Sequence, residues 1–372
     1  MFIQLSNTNE RNHIMGHYTE KINRIYILVL IIAYVAGIDV FVCLKLLGIQ
    51  ELTEVNEQGR GALIPLATCM GLIIALGIAW LELKVFIRWK SLSFGKFAFC
   101  KYGLIILLAT AGCILVFIMY LLILEKRSMP EAFSAVPEFL TSGIFLSILF
   151  FVILFSIVLN MIITIYEYLG PHAIVGALLG RYNQPMEEDL TFLFVDLKSS
   201  TSIAERMGHS QYSRFIQDSF QLLTDSIYQY NATIYQFVGD SAVLLWSTKA
   251  ARKTLAPLEL YFDFTCNIAH NSKYFIDEFG ETPLFKAAIH TGLVTVTEIQ
   301  TVKKDIVYHG DVLNTCARIL EQCSLRKKDL IVSSPIAQWT MTSDRFNTSF
   351  IEQLPLRGKT SETAIYSVNR SH

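Results

Sequence analysis

Two aspartates stand 44 positions apart in this chain, each at the edge of an apolar run. Asp196 closes Thr191-Phe192-Leu193-Phe194-Val195-Asp196 and is followed by Leu197-Lys198-Ser199-Ser200. Asp240 sits within Tyr235-Gln236-Phe237-Val238-Gly239-Asp240-Ser241. Two carboxylates on a rigid sheet are what Mg²⁺ needs, because that ion takes one or two acidic ligands and completes its shell with water and phosphates. A third segment, Gly310-Asp311-Val312-Leu313-Asn314-Thr315-Cys316-Ala317-Arg318, offers an amide and a guanidinium four residues apart. Each aspartate alone has an ordinary reading, as a hairpin-turn residue or a helix cap. The conjunction with Asn314 and Arg318 favours a site that handles metal and phosphate.

The elements that must hold these residues follow from hydrophobic spacing. Leu190–Val195 reads as a buried strand, and a helical stretch follows through Tyr230, with Phe215, Phe220, Leu222, Leu223 and Ile227 as its apolar positions. Thr233–Val238 and Ala242–Trp246 are strands joined through Gly239-Asp240, a hairpin signal. Leu258–Phe279 reads as helix, and Phe285–His290 and Leu293–Ile299 as a second hairpin around Thr291-Gly292. Val312–Cys323 is helical, and Leu330–Ser333, Phe350–Leu356 and Ala364–Val368 complete the strands. This order predicts an α+β domain with an antiparallel sheet and helices on one face. If the first strand neighbours the first hairpin, Asp196 and Asp240 converge. His290 and His309 are expected to pack or hydrogen-bond rather than bind metal.

Four apolar stretches precede this half: Ile25–Leu47, Gly61–Leu81, Tyr102–Leu124 and Ile144–Ile163. Each is about 20 residues, enough for a helix to cross about 30 Å of hydrocarbon. They account for the 52% hydrophobic content and the mean hydropathy of +0.42. Arg11, Lys21 and Arg24 precede the first stretch, and Lys84, Arg88, Lys90, Lys96 and Lys101 follow the second, whereas Glu51, Glu54 and Glu57 lie between the first two. Basic loops stay in the cytoplasm. The expected arrangement is therefore a cytoplasmic N-terminal segment over 1–24, a four-helix transmembrane domain over 25–163, a linker over 164–189 and a cytoplasmic domain over 190–372. Asp39 falls inside the first stretch, where a carboxylate costs about 2.5–3.5 kcal/mol. It is expected either to pair with a polar neighbour or to serve as a ligand or proton site. Gly170-Pro171 should break the last helix, leaving a short amphipathic helix over Ile174–Arg181 that either carries a signal or only tethers.

Net charge is -1, which gives no field for nucleic acid, and none is expected as a partner. Seven cysteines without a CxxC pair read as reduced thiols rather than as a disulfide or zinc framework.

The residues from Leu190 to Asn369 resemble the class III nucleotidyl cyclases. The resemblance implies a ferredoxin-like α+β catalytic domain in which Asp196 and Asp240 hold two metal ions, Mg²⁺ or Mn²⁺, with the Leu197 carbonyl as a supporting ligand. In such cyclases one metal lowers the pKa of the ribose 3′-hydroxyl and both stabilise charge during in-line attack on the α-phosphate. Asn314 matches the residue that orients the ribose, and Arg318 the arginine that neutralises the transition state. Lys359, in Leu356-Arg357-Gly358-Lys359, matches a lysine that touches the terminal phosphates. The two half-sets come from opposite protomers in this family, which implies a head-to-tail homodimer. The base-reading positions depart from the pattern. The adenine-reading lysine falls at Gln236, and its partner falls at Val307, or at Asp305 after a two-residue shift. A glutamine amide can donate to N1 and accept from N6 of adenine. ATP is the expected substrate, with GTP or a pyrimidine triphosphate as alternatives. A competing class is a catalytically weak, nucleotide-binding output domain of a membrane receptor. A transporter with an accessory domain lacks the expected repeat or broken-helix pair.

Overall fold

The computed structural model describes residues 17–49, 57–86, 94–178, 184–300, 304–341, 343–354 and 362–371. The chain forms two compact units, Lys21–Gly170 and one that includes Pro171–His372.

The first unit is built from α1 (His17–Ile49), α2 (Glu57–Lys84), α3 (Phe94–Ile123), the short α4 (Met129–Ser134) and α5 (Val136–Thr141), and the start of α6 (Gly143–Leu178). Tyr26–Lys45, Ile64–Lys84, Gly95–Ile123 and Gly143–Ile165 are long and apolar enough to cross a membrane. Their common core contains Leu30, Tyr34, Ile74, Ile78, Ile105 and Val152. Large apolar side chains such as Trp80, Leu107 and Phe150 stay exposed on the outside. Helices that are apolar on every side suit a lipid surround.

Polar groups inside this unit have found one another. The Tyr34 hydroxyl donates to Ser156 Oγ at 2.8 Å. Thr68 Oγ1 donates to Asp39 Oδ1 at 2.9 Å, so Asp39 does pair with a polar neighbour. Lys101, counted with the basic loop in the sequence, is instead buried within α3. Its ammonium donates to Glu82 at 2.6 Å and to Asn160 at 2.7 Å. The opposite charge lets both groups leave water together. α6 runs through Gly170-Pro171 to Leu178, so the expected break does not occur. Pro171 forfeits one amide donor, and the rest of a 36-residue helix carries the loss. Residues 1–16 and 179–183 of the expected segment and linker lie outside the described residues.

The second unit runs β1 (Met186–Leu197), α7 (Ser200–Met207), α8 (His209–Gln229), β2 (Thr233–Val238), β3 (Ser241–Ser247), α9 (Thr248–Thr254), α10 (Ala256–His270), α11 (Ser272–Phe279), β4 (Phe285–Gln300), β5 (Lys304–His309), α12 (Asp311–Arg326), β6 (Leu330–Ser333), α13 (Ser334–Thr340), β7 (Phe346–Leu354) and β8 (Thr363–Arg370). The sheet order is β2-β3-β1-β4-β6-β8-β7, with β5 paired to β4. β4 and β6 are parallel, while the other pairs are antiparallel.

Helices cover both faces of this sheet, not one. Leu193 and Val195 pack with Phe215 and Leu222 of α8 and Phe264 of α10. Phe192 and Leu190 pack on the other side with Val312, Cys316 and Ile319 of α12. The unbroken apolar run of β1 is the sequence sign of a strand buried on both faces. The hairpin expected at Thr291-Gly292 is also absent, because β4 runs straight from Phe285 to Gln300. Gly292 serves contact rather than a turn: a Cβ there would sit 2.9 Å from Val312 Cγ2. The glycine lets α12 lie directly on the strand. β4 turns back further on, into β5.

Candidate active site

Sheet register builds one end of the site. Asp196 is level with Ser241 on β3 and with Lys286 on β4, and Val238 on β2 is level with Ser241. Opposed residues share a face, so Val238, Ser241, Asp196 and Lys286 form one row across four strands. Gly239, with φ of +60°, turns β2 into β3 and carries Asp240 beside that row. The two aspartates therefore do converge at one edge.

Asp196 is engaged on both oxygens. Ser241 Oγ donates to Oδ1, and Lys286 Nζ lies 3.0 Å from Oδ2. Lys286 also donates to Ser324 Oγ on α12 at 2.8 Å. Lys198 Nζ pairs with Asp329, and its amide donates to the Leu284 carbonyl at 2.8 Å, fixing the exit of β1 next to Leu197. Tyr212 of α8 faces the same edge. Burial, then the negative charges of Asp240 and Asp196, push its phenol above the usual tyrosine range, while a hydrogen bond with Ser200 opposes this. Local sequence patterns do not single out Lys286, Ser241 or Tyr212. For the first two, the signal lies in the pairing of β1 with β3 and with β4, which sets both level with Asp196.

The oxygen donors at this edge fit a hard divalent cation. Asp196 and Asp240 supply carboxylates, and Ser241 and the Leu197 carbonyl lie beside them. Among the described residues no group of three or more His, Cys, Asp or Glu makes a metal cage. Mg²⁺ does not require one, since water and phosphate complete its shell.

Asn314 and Arg318 are elsewhere. Val312, Cys316, Ile319 and Cys323 face the sheet, leaving Asn314 exposed and Arg318 half-buried on other sides of α12. Val312 meets Gly292, which is level with Leu190. Asp196 is six residues further along β1, about 20 Å at strand rise. The other end of α12 is the one that reaches the aspartate edge, through Ser324 and Lys286. One chain thus carries the two half-sets at opposite ends of its sheet.

The base-reading candidates lie on β2 and β5. Gln236 is exposed and level with Val243, after a register shift between Ile234 and Gln236. Val307 and Asp305 are level with Thr297 and Ile299, on the opposite side of β5 from the Tyr308 ring, which meets Phe192 and Tyr235 at 5.9 and 4.9 Å. Burial, and to a lesser degree the Asp305 charge, raises the Tyr235 phenol. Lys359 lies outside the described residues. His290 is bonded to Ser333 Oγ at 2.8 Å, as expected of a packed histidine.

Residues 182–370, half of the chain, match the family model of the adenylate and guanylate cyclase catalytic domain. The chain belongs to this cyclase family. Adenylate cyclase 2 of Rhizobium meliloti (strain 1021) is 32% identical over 175 residues, 47% of this chain and 48% of that protein. The chain thus spans about half the length of that curated relative. The structure of a bacterial light-regulated adenylyl cyclase aligns with a TM-score of 0.51 at 14% identity, over 62% of this chain and 67% of the other. That likeness speaks for the α+β fold. The adenylyl cyclase CyaB from P. aeruginosa aligns over 51% of this chain and 97% of its own, at 18% identity and a TM-score of 0.45.

Proposed function

We propose that this cyclase-family chain is a membrane-anchored nucleotidyl cyclase that converts ATP to 3′,5′-cyclic AMP and pyrophosphate. The observation that carries the reading is the convergence of Asp196 and Asp240 at one sheet edge within the family-matched region. The four apolar helices support anchoring, and the basic segment after α2 supports a cytoplasmic second unit.

Asp196, Asp240 and the Leu197 carbonyl would hold the divalent ions. Bound there, the metals supply an acidified 3′-hydroxyl and charge neutralisation. The chain's own residues do the rest. Asn314 orients the ribose so that its oxygen lies in line with the α-phosphate. Arg318 meets the charge that builds on that phosphate. Lys359 grips the terminal phosphates, and Gln236 reads the base with Asp305 or Val307. The separation of the half-sets within one chain supports a homodimer, in which α12 of one protomer completes the aspartate edge of its partner.

Gln236 favours a second reading of the base, because an amide can meet guanine or a pyrimidine as well as adenine. The full-length protein in lipid, given ATP, GTP, CTP and UTP separately with Mg²⁺ or Mn²⁺, should form one cyclic product. Asp240→Ala should abolish it. No cyclic product from any nucleotide, in folded dimeric protein, would turn the reading toward a nucleotide-binding output domain.

A further inference from the structure

Asp196, the first candidate metal ligand, has no free carboxylate oxygen. Ser241 Oγ holds Oδ1, and the Lys286 ammonium holds Oδ2 at 3.0 Å. The three residues are level on β3, β1 and β4. Strand register therefore builds the contact, in contrast to a meeting of two long surface chains. Both side chains of the ion pair are largely shielded, at 16% exposure for Lys286 and 21% for Asp196. Lys286 also has a second partner in reach, Ser324 Oγ at 2.8 Å. Lys198, a second cation near this end, is paired with Asp329.

We infer that Lys286 is a built-in counter-ion that keeps divalent metal off Asp196 until a nucleotide arrives. The inference rests on the proposed role of Asp196 as a metal ligand. An ammonium and a hard cation seek the same oxygen, and only one can have it at full strength. In the empty protein the ammonium compensates Asp196, so that Asp196 and Asp240 can share an edge with reduced repulsion. A polyphosphate brings several negative charges to the same edge and becomes the stronger partner for the ammonium. Lys286 then leaves Oδ2, with Ser324 already bonded to it. The metal enters with the phosphate oxygens that complete its shell. Metal and nucleotide affinities are therefore coupled, and the coupling is reciprocal. A lysine that only gripped phosphate would leave metal binding untouched when nucleotide is absent.

The test measures Mn²⁺ binding by electron paramagnetic resonance on the full chain in lipid nanodiscs. Titrations run without nucleotide and with a triphosphate analogue carrying a methylene bridge between the α and β phosphorus atoms. The wild-type chain should bind Mn²⁺ weakly alone and about tenfold or more tightly with the analogue. Lys286→Met should raise the nucleotide-free affinity about tenfold and shrink the coupling by a similar factor. Lys286→Arg should keep the wild-type pattern. If Lys286→Met does not fold, Lys286→Gln carries the same comparison. An unchanged or weaker nucleotide-free affinity in a folded variant overturns the inference. If the wild-type chain binds the analogue with no dependence on Mn²⁺, the proposed cyclase site itself fails, whatever Lys286 does.

Discussion

Two lysines in this chain make the same kind of contacts and meet different fates. Lys101 donates to the Glu82 carboxylate at 2.6 Å and to Asn160 at 2.7 Å. Lys286 lies 3.0 Å from Asp196 and donates to Ser324 at 2.8 Å. Their side chains are similarly shielded, with 10% and 16% exposed. The surroundings differ. Lys101 is closed in by the rings of Phe86 and Phe97, at 5.0 and 5.8 Å, within an apolar helix bundle. Lys286 instead pairs with Asp196 near the end of β1, where the proposed metal and phosphates would bind. Shielding alone therefore does not make an ion pair structural. The pair is structural where no competing charge can reach it, and exchangeable where one can.

The largest effect should come from the open edge. Asp240→Ala and Arg318→Ala should each lower turnover by about 10³-fold, with thermal unfolding close to that of wild type. Reconstituted together, the two variants should regain product. Half of randomly paired dimers are mixed, and each holds one intact site, so recovery should approach about a quarter of wild-type sites. No recovery, in dimers shown to exchange, would mean that both half-sets of a site come from one chain. The closed pair should behave in the opposite way. Lys101→Met leaves the half-buried Glu82 uncompensated, and should cost up to about 3 kcal/mol in the stability of the helix bundle. Lys101→Met combined with Glu82→Met should recover most of that loss, measured by unfolding in mixed micelles. A stable Lys101→Met protein that has lost turnover would make this pair functional after all.

The open edge was partly legible from the chain itself. Asp196 and Asp240 stood out because apolar runs end at them, and runs of that kind report strands directly. The four long helices were legible for the same reason, although the third span begins at Gly95, well before the expected Tyr102. Lys286 was not legible because nothing local shows that its strand pairs with β1, and the strand's length was hidden too, since a glycine in a strand and a glycine in a hairpin look alike locally. What distinguishes them is Val312, 20 residues later, pressing on the missing Cβ. Lys101 was misplaced for a related reason: a lysine reads as loop until its partner, Glu82, is known to be adjacent. Pairing between distant segments is the information that local patterns lack. It decided the covering of both sheet faces and the separation of Asn314 from Asp196.

The smallest effect tests how closed the layer beneath the open pair is. Cys323 precedes Ser324 and faces the sheet, with its Sγ 3.2 Å from the Ala287 carbonyl. Burial pushes its thiol from 9.0 up to about 12, against hydrogen bonding to Ile331 and the nearby Lys286 and Lys198, which pull the other way. In the unfolded chain the thiol ionises near its ordinary value, while in the native chain it stays neutral. Its contribution to stability is therefore whole below pH 9 and is lost as pH rises from 9 toward 12. Urea unfolding of the second unit, followed through Trp246 and Trp339, should show a midpoint that falls between about pH 8 and about pH 10. Cys323→Ala should flatten that decline by about 1 kcal/mol at the alkaline end. Cys316, buried on the same side of α12, is raised in the same direction, so the double variant should be flatter still. An identical decline in Cys323→Ala would mean that the thiol ionises in the folded chain. Water would then reach the seam between α12 and the sheet, and the contrast between the open side of that helix and its closed side would not hold.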